Sequence, residues 1–267
     1  MTQLQYIQAG NGVSLAVDAA PASDKPAIIL SSSIGADLRM WDEFAARCSN
    51  DFRIIRYDTR GHGKSQITDE PITIETLGTD VLRIMDALEI KQATFCGLSL
   101  GGLTGQWLGV NHGARFNGIV LANTAANFPP ATMWHDRAKA VRDGGMSPLL
   151  QATIERWFTK PFQEANAQRI AEVKAMIAAT SPIGYARCCE VLATTDMLPS
   201  LPTLALPVRI ICGEKDPSTT IARGEELAKA IPNSRIAVLD AAHISSIEAA
   251  DAFAASVKEF CTGLGGK

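Results

Sequence analysis

Residues 95–102 read Phe95-Cys96-Gly97-Leu98-Ser99-Leu100-Gly101-Gly102, one serine with a glycine two positions away on either side, directly after an apolar run. Small residues in this pattern serve either a tight turn in a core or a bend that holds a hydroxyl up for attack. In the second case the serine adopts a positive φ, disfavoured for any side chain, while the strand before it and the helix after it crowd the positions two residues away. Gly97 and Gly101 would relieve that crowding. Gly102 would let the following helix pack close.

Working outward from this bend, short β-branched runs alternate with amphipathic stretches. The runs are AIIL at 27–30, FRIIRY at 52–57, ATFCG at 93–97, GIVLA at 118–122, VRIICG at 208–213 and RIAVLD at 235–240. Strands covered by helices on both faces lose the in-and-out alternation of a half-exposed sheet, so these runs predict buried parallel strands. Helices are expected at about 39–49, 73–88, 100–112, 219–231 and 246–262. The fold class is α/β, three layers with a mostly parallel central sheet flanked by helices. LQYIQ and VSLAV around Asn11-Gly12 predict an antiparallel hairpin at one edge.

The rhythm fails between 124 and 196. Four helical stretches follow one another there without a convincing strand, separated by Pro129-Pro130, Gly144-Gly145, Pro161 and Pro182. The expectation is a helical cap at 124–196 inserted into a core domain made of 1–123 and 197–267.

With 267 residues, 46% of them hydrophobic and 20% charged, the chain can bury one large core carrying an insertion. A formal charge of −3 supplies no positive field for a polyanion, which argues against nucleic acid as a partner. The opening MTQLQYIQAGNGVSLAV has no basic start followed by an apolar core, and no run approaches the length of a membrane span. The expected location is the cytoplasm, without a membrane partner. Cys48, Cys96, Cys188, Cys189, Cys212 and Cys261 lack CxxC spacing and read as small buried residues, the adjacent pair as helix interior and not as a redox couple. No His/Asp/Glu group has metal-ligand spacing, and neither metal nor cofactor is expected. The partner implied is a small-molecule substrate; homo-oligomerisation stays open.

A serine hydroxyl alone is a poor nucleophile and needs a base, itself oriented by a carboxylate. His243 lies in LDAAHISSIE just past the last predicted strand, and Asp216 lies in GEKDPST just past the preceding one. The order Ser99, Asp216, His243 brings all three to one edge of a parallel sheet. Glu214 and Asp240 are rival carboxylates that read as solvated or loop-ordering residues. His62, in the glycine-rich YDTRGHGKS, reads as ordering its loop; His112 closes a helix and His135 belongs to the cap. Donors for a developing oxyanion, each worth about 2.7–4 kcal/mol of barrier in comparable sites, are expected from the N–H groups of Leu100 and of Ile34 in SSSIGAD, with Gly35 keeping that loop tight.

These residues resemble the α/β-hydrolase superfamily along essentially the whole chain. SSSIGADLRMW at 31–41, YDTRGHGKS at 57–65 and the segments MWHDRAKAVRDGGM at 133–146, ERWFTKPF at 155–162 and GYARCCEVLATTDM at 184–197 narrow the resemblance to the 3-oxoadipate enol-lactonases. The resemblance implies an α/β-hydrolase fold with an inserted helical cap. It carries nucleophile, acid and base onto Ser99, Asp216 and His243, and the oxyanion amides onto Ile34 and Leu100. It also implies opening of a small carboxylate-bearing enol-lactone through an acyl-enzyme, in bacterial breakdown of aromatic compounds. The sequence departs from the family in running DPSTT around Asp216 without the proline expected soon afterwards, and AAD after Glu248, where a proline is usual.

Such a substrate needs a cation in an apolar pocket. Trp134 and Arg137 lie three apart in one predicted cap helix, hence on one face. That face is expected to look down on Ser99, with Trp134 on the substrate ring and Arg137 on its carboxylate. The alternative is a Trp in the cap's own core and an Arg in solvent, and Arg39 and Arg187 are further candidate cations. Other functions of the same architecture are a general carboxylesterase, a carbon–carbon bond hydrolase and a perhydrolase. A ligand receptor that keeps the fold without turnover is a reading from a different class.

Overall fold

The structure, a computed structural model, describes residues 4–10 and 12–264. Asn11 of the expected hairpin turn lies outside the described residues. The strands are β1 (Leu4–Gly10), β2 (Val13–Ala19), β3 (Ala27–Ser31), β4 (Arg53–Tyr57), β5 (Ala93–Leu98), β6 (Phe116–Ala122), β7 (Val208–Gly213) and β8 (Ser234–Leu239). They form one sheet in the order β1-β2-β4-β3-β5-β6-β7-β8. β1 and β2 form the antiparallel edge hairpin, β2 pairs antiparallel with β4, and every later pairing is parallel. All of β5 is buried, as a strand covered on both faces must be.

Because β3 leads outward to β4 while β5 leads the other way to β6, the order reverses between β3 and β5. At such a switch point the loops leaving the carboxyl ends of two neighbouring strands diverge and open a crevice. The loops after β3 and β5 carry Ile34 and Ser99, and those after β7 and β8 open on the same edge.

Three helices interleave with the first strands: α1 (Asp42–Cys48), α2 (Ile74–Ala87) and α3 (Leu100–His112). The helix expected from residue 39 begins as a 3-10 turn, Leu38–Trp41, because the Asp37 carboxylate accepts the Arg39 N–H and tightens the entry. Between β6 and β7 lie α4 (Ala131–Gly144), α5 (Leu150–Trp157), α6 (Lys160–Ala165), α7 (Ala167–Ala178) and α8 (Pro182–Thr194). Five helices stand where four stretches were expected. Pro161 and Pro182 mark their breaks from the first turns of α6 and α8, where a proline's missing N–H has no intrahelical partner to lose. The additional break falls at Asn166, with φ −128° and ψ 43°.

Within this insertion α4 and α8 pack together, and Trp134, Ala138 and Val141 of α4 and Tyr185, Cys188, Cys189 and Leu192 of α8 are all buried. Burial pushes the Cys189 thiol up to about 12, as suits helix-interior cysteines. An isolated bridge between Asn127 and Asp196 closes the base of the insertion.

The chain ends with α9 (Ile221–Ala230), α10 (Ser245–Glu248) and α11 (Ala250–Leu264). The single helix expected at 246–262 is broken at Ala249, which leaves helical geometry at φ −118° and ψ 47°. The short turn before it aims the Glu248 carboxylate back at Ala242 and across at Thr159. Trp41, Phe44 and Phe253 join α1 to α11 in a fully buried aromatic cluster, with centroids 6.0 to 6.2 Å apart. Among the described residues no helix is long and apolar enough to cross a membrane.

Candidate active site

Ser99 caps the start of α3 at φ 59° and ψ −113°, the disfavoured bend read from the sequence. A Cβ on Gly97 would lie 2.1 Å from the Gly101 carbonyl oxygen, and one on Gly101 would lie 2.2 Å from that of Ser31. The crowding extends along α3, where a Cβ on Gly105 would meet the Phe95 ring at 2.8 Å and one on Gly109 the Ile119 side chain at 2.6 Å. Strain of about 1–3 kcal/mol persists at such a residue only when its surroundings hold it. Here Ser99 N–H donates to Ala122 O at 2.9 Å, and Ser99 O accepts from Leu103 N–H at 3.0 Å and Thr124 Oγ1 at 2.7 Å. The hydroxyl itself makes no capping hydrogen bond.

His243 and Asp216 are both buried. Nδ1 of His243 donates to Asp216 Oδ2 at 2.7 Å, which leaves Nε2 free to act as a base. Asp216 also receives Thr219 Oγ1 at 2.5 Å and Asn123 Nδ2 at 3.0 Å on Oδ2, and the N–H groups of Ser218 and Thr219 at 2.8 and 3.0 Å on Oδ1. Burial acts to raise its pKa, but attraction to His243 and the hydrogen bonds from His243 and Thr219 prevail and hold it well below the usual carboxylate range. Ser99 and His243 line one cavity without a hydrogen bond between them; in ligand-free active sites such a contact is often long and tightens only as substrate enters.

The rival residues are occupied elsewhere. Glu214 is exposed, and the exposed Asp240 pairs with Lys215. His62 is buried, with Nδ1 at 3.0 Å from Arg60 O and Nε2 at 2.9 Å from Gly35 N, so neither nitrogen is available as a base. His112 packs against Trp107 with centroids 5.1 Å apart, and His135 is exposed.

Ile34 lines the cavity, and Leu100 opens α3 beside it. Among the described residues the backbone N–H groups of Ile34 and Leu100 have no protein acceptor. The cavity, of about 380 Å³, also takes in Trp134, Arg137, Arg156 and Tyr185 from the inserted helices. Trp134 donates its indole N–H to Phe128 O at 2.8 Å and carries the Arg137 guanidinium 4.8 Å above its ring. It thus belongs both to the packing of α4 and to the cavity wall.

Arg156 donates to Thr153 Oγ1 at 3.2 Å, and its pKa is lowered by burial first and by the nearby Arg137 second. Among the described residues neither Arg137 nor Arg156 pairs with a carboxylate. Arg39 is tied to Asp37, and Arg187 to Asp69 and Glu190; neither lines the cavity.

Four residues escaped the sequence reading: Arg156, Thr219, Asn123 and Glu248. Arg156 stands in ERWFTKPF beside Trp157, a segment informative only once α5 is known to turn it inward. Thr219 lies three residues past Asp216. Asn123 directly follows β6 at φ 42°, a conformation that asparagine tolerates better than most residues. It also donates to Ala242 O at 3.2 Å and accepts from Ser245 Oγ at 2.5 Å, bracing the loop that carries His243. Glu248 braces that loop from outside: it accepts the N–H groups of Ala242 at 2.8 Å and Thr159 at 3.1 Å, and the Thr159 hydroxyl. Ile244 N–H bonds to Trp157 O at 3.1 Å.

A hydroxyl, an imidazole oriented by a carboxylate, two free N–H groups and two unanswered guanidiniums around one small cavity suit acyl transfer on an anionic substrate. Among the described residues no cluster of His, Cys, Asp and Glu could hold a metal ion.

Residues 26–250 match the model of the alpha/beta hydrolase fold family. The chain is 45% identical over 231 residues to 3-oxoadipate enol-lactonase 2 of Acinetobacter baylyi, covering 86% of each chain. It is 39% identical over 255 residues to 3-oxoadipate enol-lactonase 1 of the same organism, covering 95% of this chain and 96% of that one. The crystal structure of an enol-lactonase from Burkholderia xenovorans LB400 superposes with a TM-score of 0.93 at 42% identity, over 97% of this chain and 100% of that one.

Proposed function

The chain belongs to the alpha/beta hydrolase fold family, and on that premise we propose that it hydrolyses 3-oxoadipate enol-lactone to 3-oxoadipate in the cytoplasmic breakdown of aromatic compounds. The core, 1–123 and 197–267, supplies the reacting groups, and the cap, 124–196, supplies the face that recognises the substrate. Ser99 Oγ attacks the lactone carbonyl as His243 Nε2 takes its proton. The tetrahedral oxyanion meets the N–H groups of Ile34 and Leu100, and Asp216 stabilises the imidazolium. Collapse breaks the ring C–O bond, and His243 returns the proton to the departing enol oxygen.

In a lactone the leaving group stays attached to the acyl chain, so the acyl-enzyme holds the whole substrate. The released enol becomes a ketone. Water, deprotonated by His243, then attacks the acyl carbonyl and frees the new carboxylate together with Ser99.

The observation that carries this reading is the pair Arg137 and Arg156, which shares the cavity with Ser99 and His243 and, among the described residues, has no carboxylate opposite. A charge-assisted hydrogen bond to a substrate carboxylate there is worth about 1.5–3 kcal/mol. Trp134 offers its ring face to the lactone. The test is a spectrophotometric assay with freshly generated enol-lactone, comparing the intact protein with Ser99→Ala. Fast turnover abolished by the substitution is expected. Brisk cleavage of simple esters with no turnover of the lactone would leave a general carboxylesterase instead.

A further inference from the structure

His62 takes no part in the mechanism above, yet it is buried with both ring nitrogens engaged. A carbonyl can only accept, so the nitrogen facing Arg60 O, Nδ1, carries the proton. A backbone N–H can only donate, so Nε2, facing Gly35 N at 2.9 Å, presents its lone pair. The two partners together select one neutral tautomer.

Gly35 is the residue after Ile34. The segment Ser33 to Ala36 is a turn closed by Ala36 N–H to Ser33 O at 3.1 Å, and Gly35 has φ +85°, the positive value required at the third position of a type II turn. The middle peptide of such a turn can flip to the type I arrangement. Only the orientation seen here directs Gly35 N–H at the imidazole. Gly35 O is held on the other side by Thr180 Oγ1 at 3.3 Å. The loop of His62 is itself fastened to the cap, where Gly61 O accepts Ser181 N–H at 3.1 Å.

We propose that His62 is a positioning residue for catalysis: by accepting Gly35 N–H it fixes the Ser33–Ala36 turn, and with it the Ile34 N–H that receives the oxyanion. This rests on the assignment of Ile34 as an oxyanion donor. His62 never touches the substrate, and its loss acts on the transition state while leaving ground-state binding alone.

The test compares His62→Gln with His62→Asn. A glutamine places an amide oxygen near the position of Nε2 and retains an N–H for Arg60 O; asparagine is as polar but too short to reach Gly35. Steady-state kinetics are read on the enol-lactone and on neutral phenyl acetate, together with affinities for phenylboronic acid, which forms a tetrahedral anionic adduct with a reactive serine, and for adipate, a ground-state dicarboxylate. His62→Asn should lower kcat about 10²-fold on both substrates, the size of effect that an ångström of misplacement produces. KM and adipate affinity should hold while boronate affinity falls in step with kcat, and His62→Gln should recover most of the loss.

Equal kcat in the two variants, or a loss that appears in KM and adipate binding with boronate affinity intact, overturns the inference. If the intact protein cleaves phenyl acetate but not the lactone, the substrate assignment fails, and the Gln/Asn comparison still reads on the ester.

Discussion

On the sheet side of the cavity the Asp216 carboxylate is bonded to Asn123, Ser218, Thr219 and His243, whereas on the cap side Arg137 and Arg156 face the same space with no carboxylate opposite among the described residues. One wall satisfies its charges internally. The other leaves them to be met by whatever enters. A site divided this way holds its reacting groups in order before substrate arrives and draws selectivity from an incoming negative charge, so the two walls should report in different kinetic constants.

The largest effect belongs to the sheet side. Ser99→Ala should lower kcat by about 10⁶-fold, as loss of the nucleophile does in other triads, while calorimetry shows adipate still binding. Lost adipate affinity would mean the walls are not independent. Asp216→Asn should cost about 10⁴-fold in kcat with KM nearly unchanged, because an amide in that place favours the wrong imidazole tautomer. A rise in KM there would blur the contrast.

The cap side should answer in KM. Arg137→Ala or Arg156→Ala should raise KM for the enol-lactone about 10- to 100-fold, the equivalent of one charge-assisted hydrogen bond, and barely change KM for phenyl acetate. Because the two guanidiniums would share one anion, the double substitution should cost less than the product of the single ones. Equal effects on charged and neutral esters would take either arginine out of the pocket.

The smallest effect is in stability against pH, where two buried carboxylates differ in sign. Asp216, held low, contributes stability that is fully present above the unfolded carboxylate pKa of about 3.9 and is lost as pH falls through its lower folded value. Asp58 is pushed up to about 6 by burial, despite the N–H groups of Lys64 and Leu38 that it accepts. Acidification from pH 7 toward 4 therefore neutralises a buried charge and stabilises the fold. Thermal melts of Asp58→Asn over that window should lack this gain, and a series that parallels the wild type would show that Asp58 is not its source.

Strands and the strained serine were legible because their signals are local. Continuous apolar runs mark strands covered on both faces, and Gly97 and Gly101 follow from the serine's own backbone demand. His243 and Asp216 were legible because a parallel sheet brings the residues after its strands to one edge. Asn123 and Glu248 were not, because what each does depends on a partner far along the chain, and Arg156 was not, because its place follows from the direction α5 takes over the cavity. Asn123 and Asp216 are 93 positions apart, and Thr159 and Glu248 are 89 apart. The cap's helix count went astray because the break between α6 and α7 at Asn166 falls in QEANAQ, with no proline or glycine to mark it.

The glycines that seat α3 on the sheet recur every fourth residue, at 97, 101, 105 and 109. A survey of random amino-acid replacements, ranked by surviving activity, would find Gly97 and Gly101 nearly as unforgiving as Ser99, because a Cβ there meets backbone, and Gly105 and Gly109 more tolerant, because a Cβ there meets the Phe95 ring and the tips of Ile119 and Leu204. Intolerance to change at Gly97 and Gly101 measures how near two backbones run, and a map of essential positions read as a map of chemistry would count as reacting groups two residues that never touch the substrate.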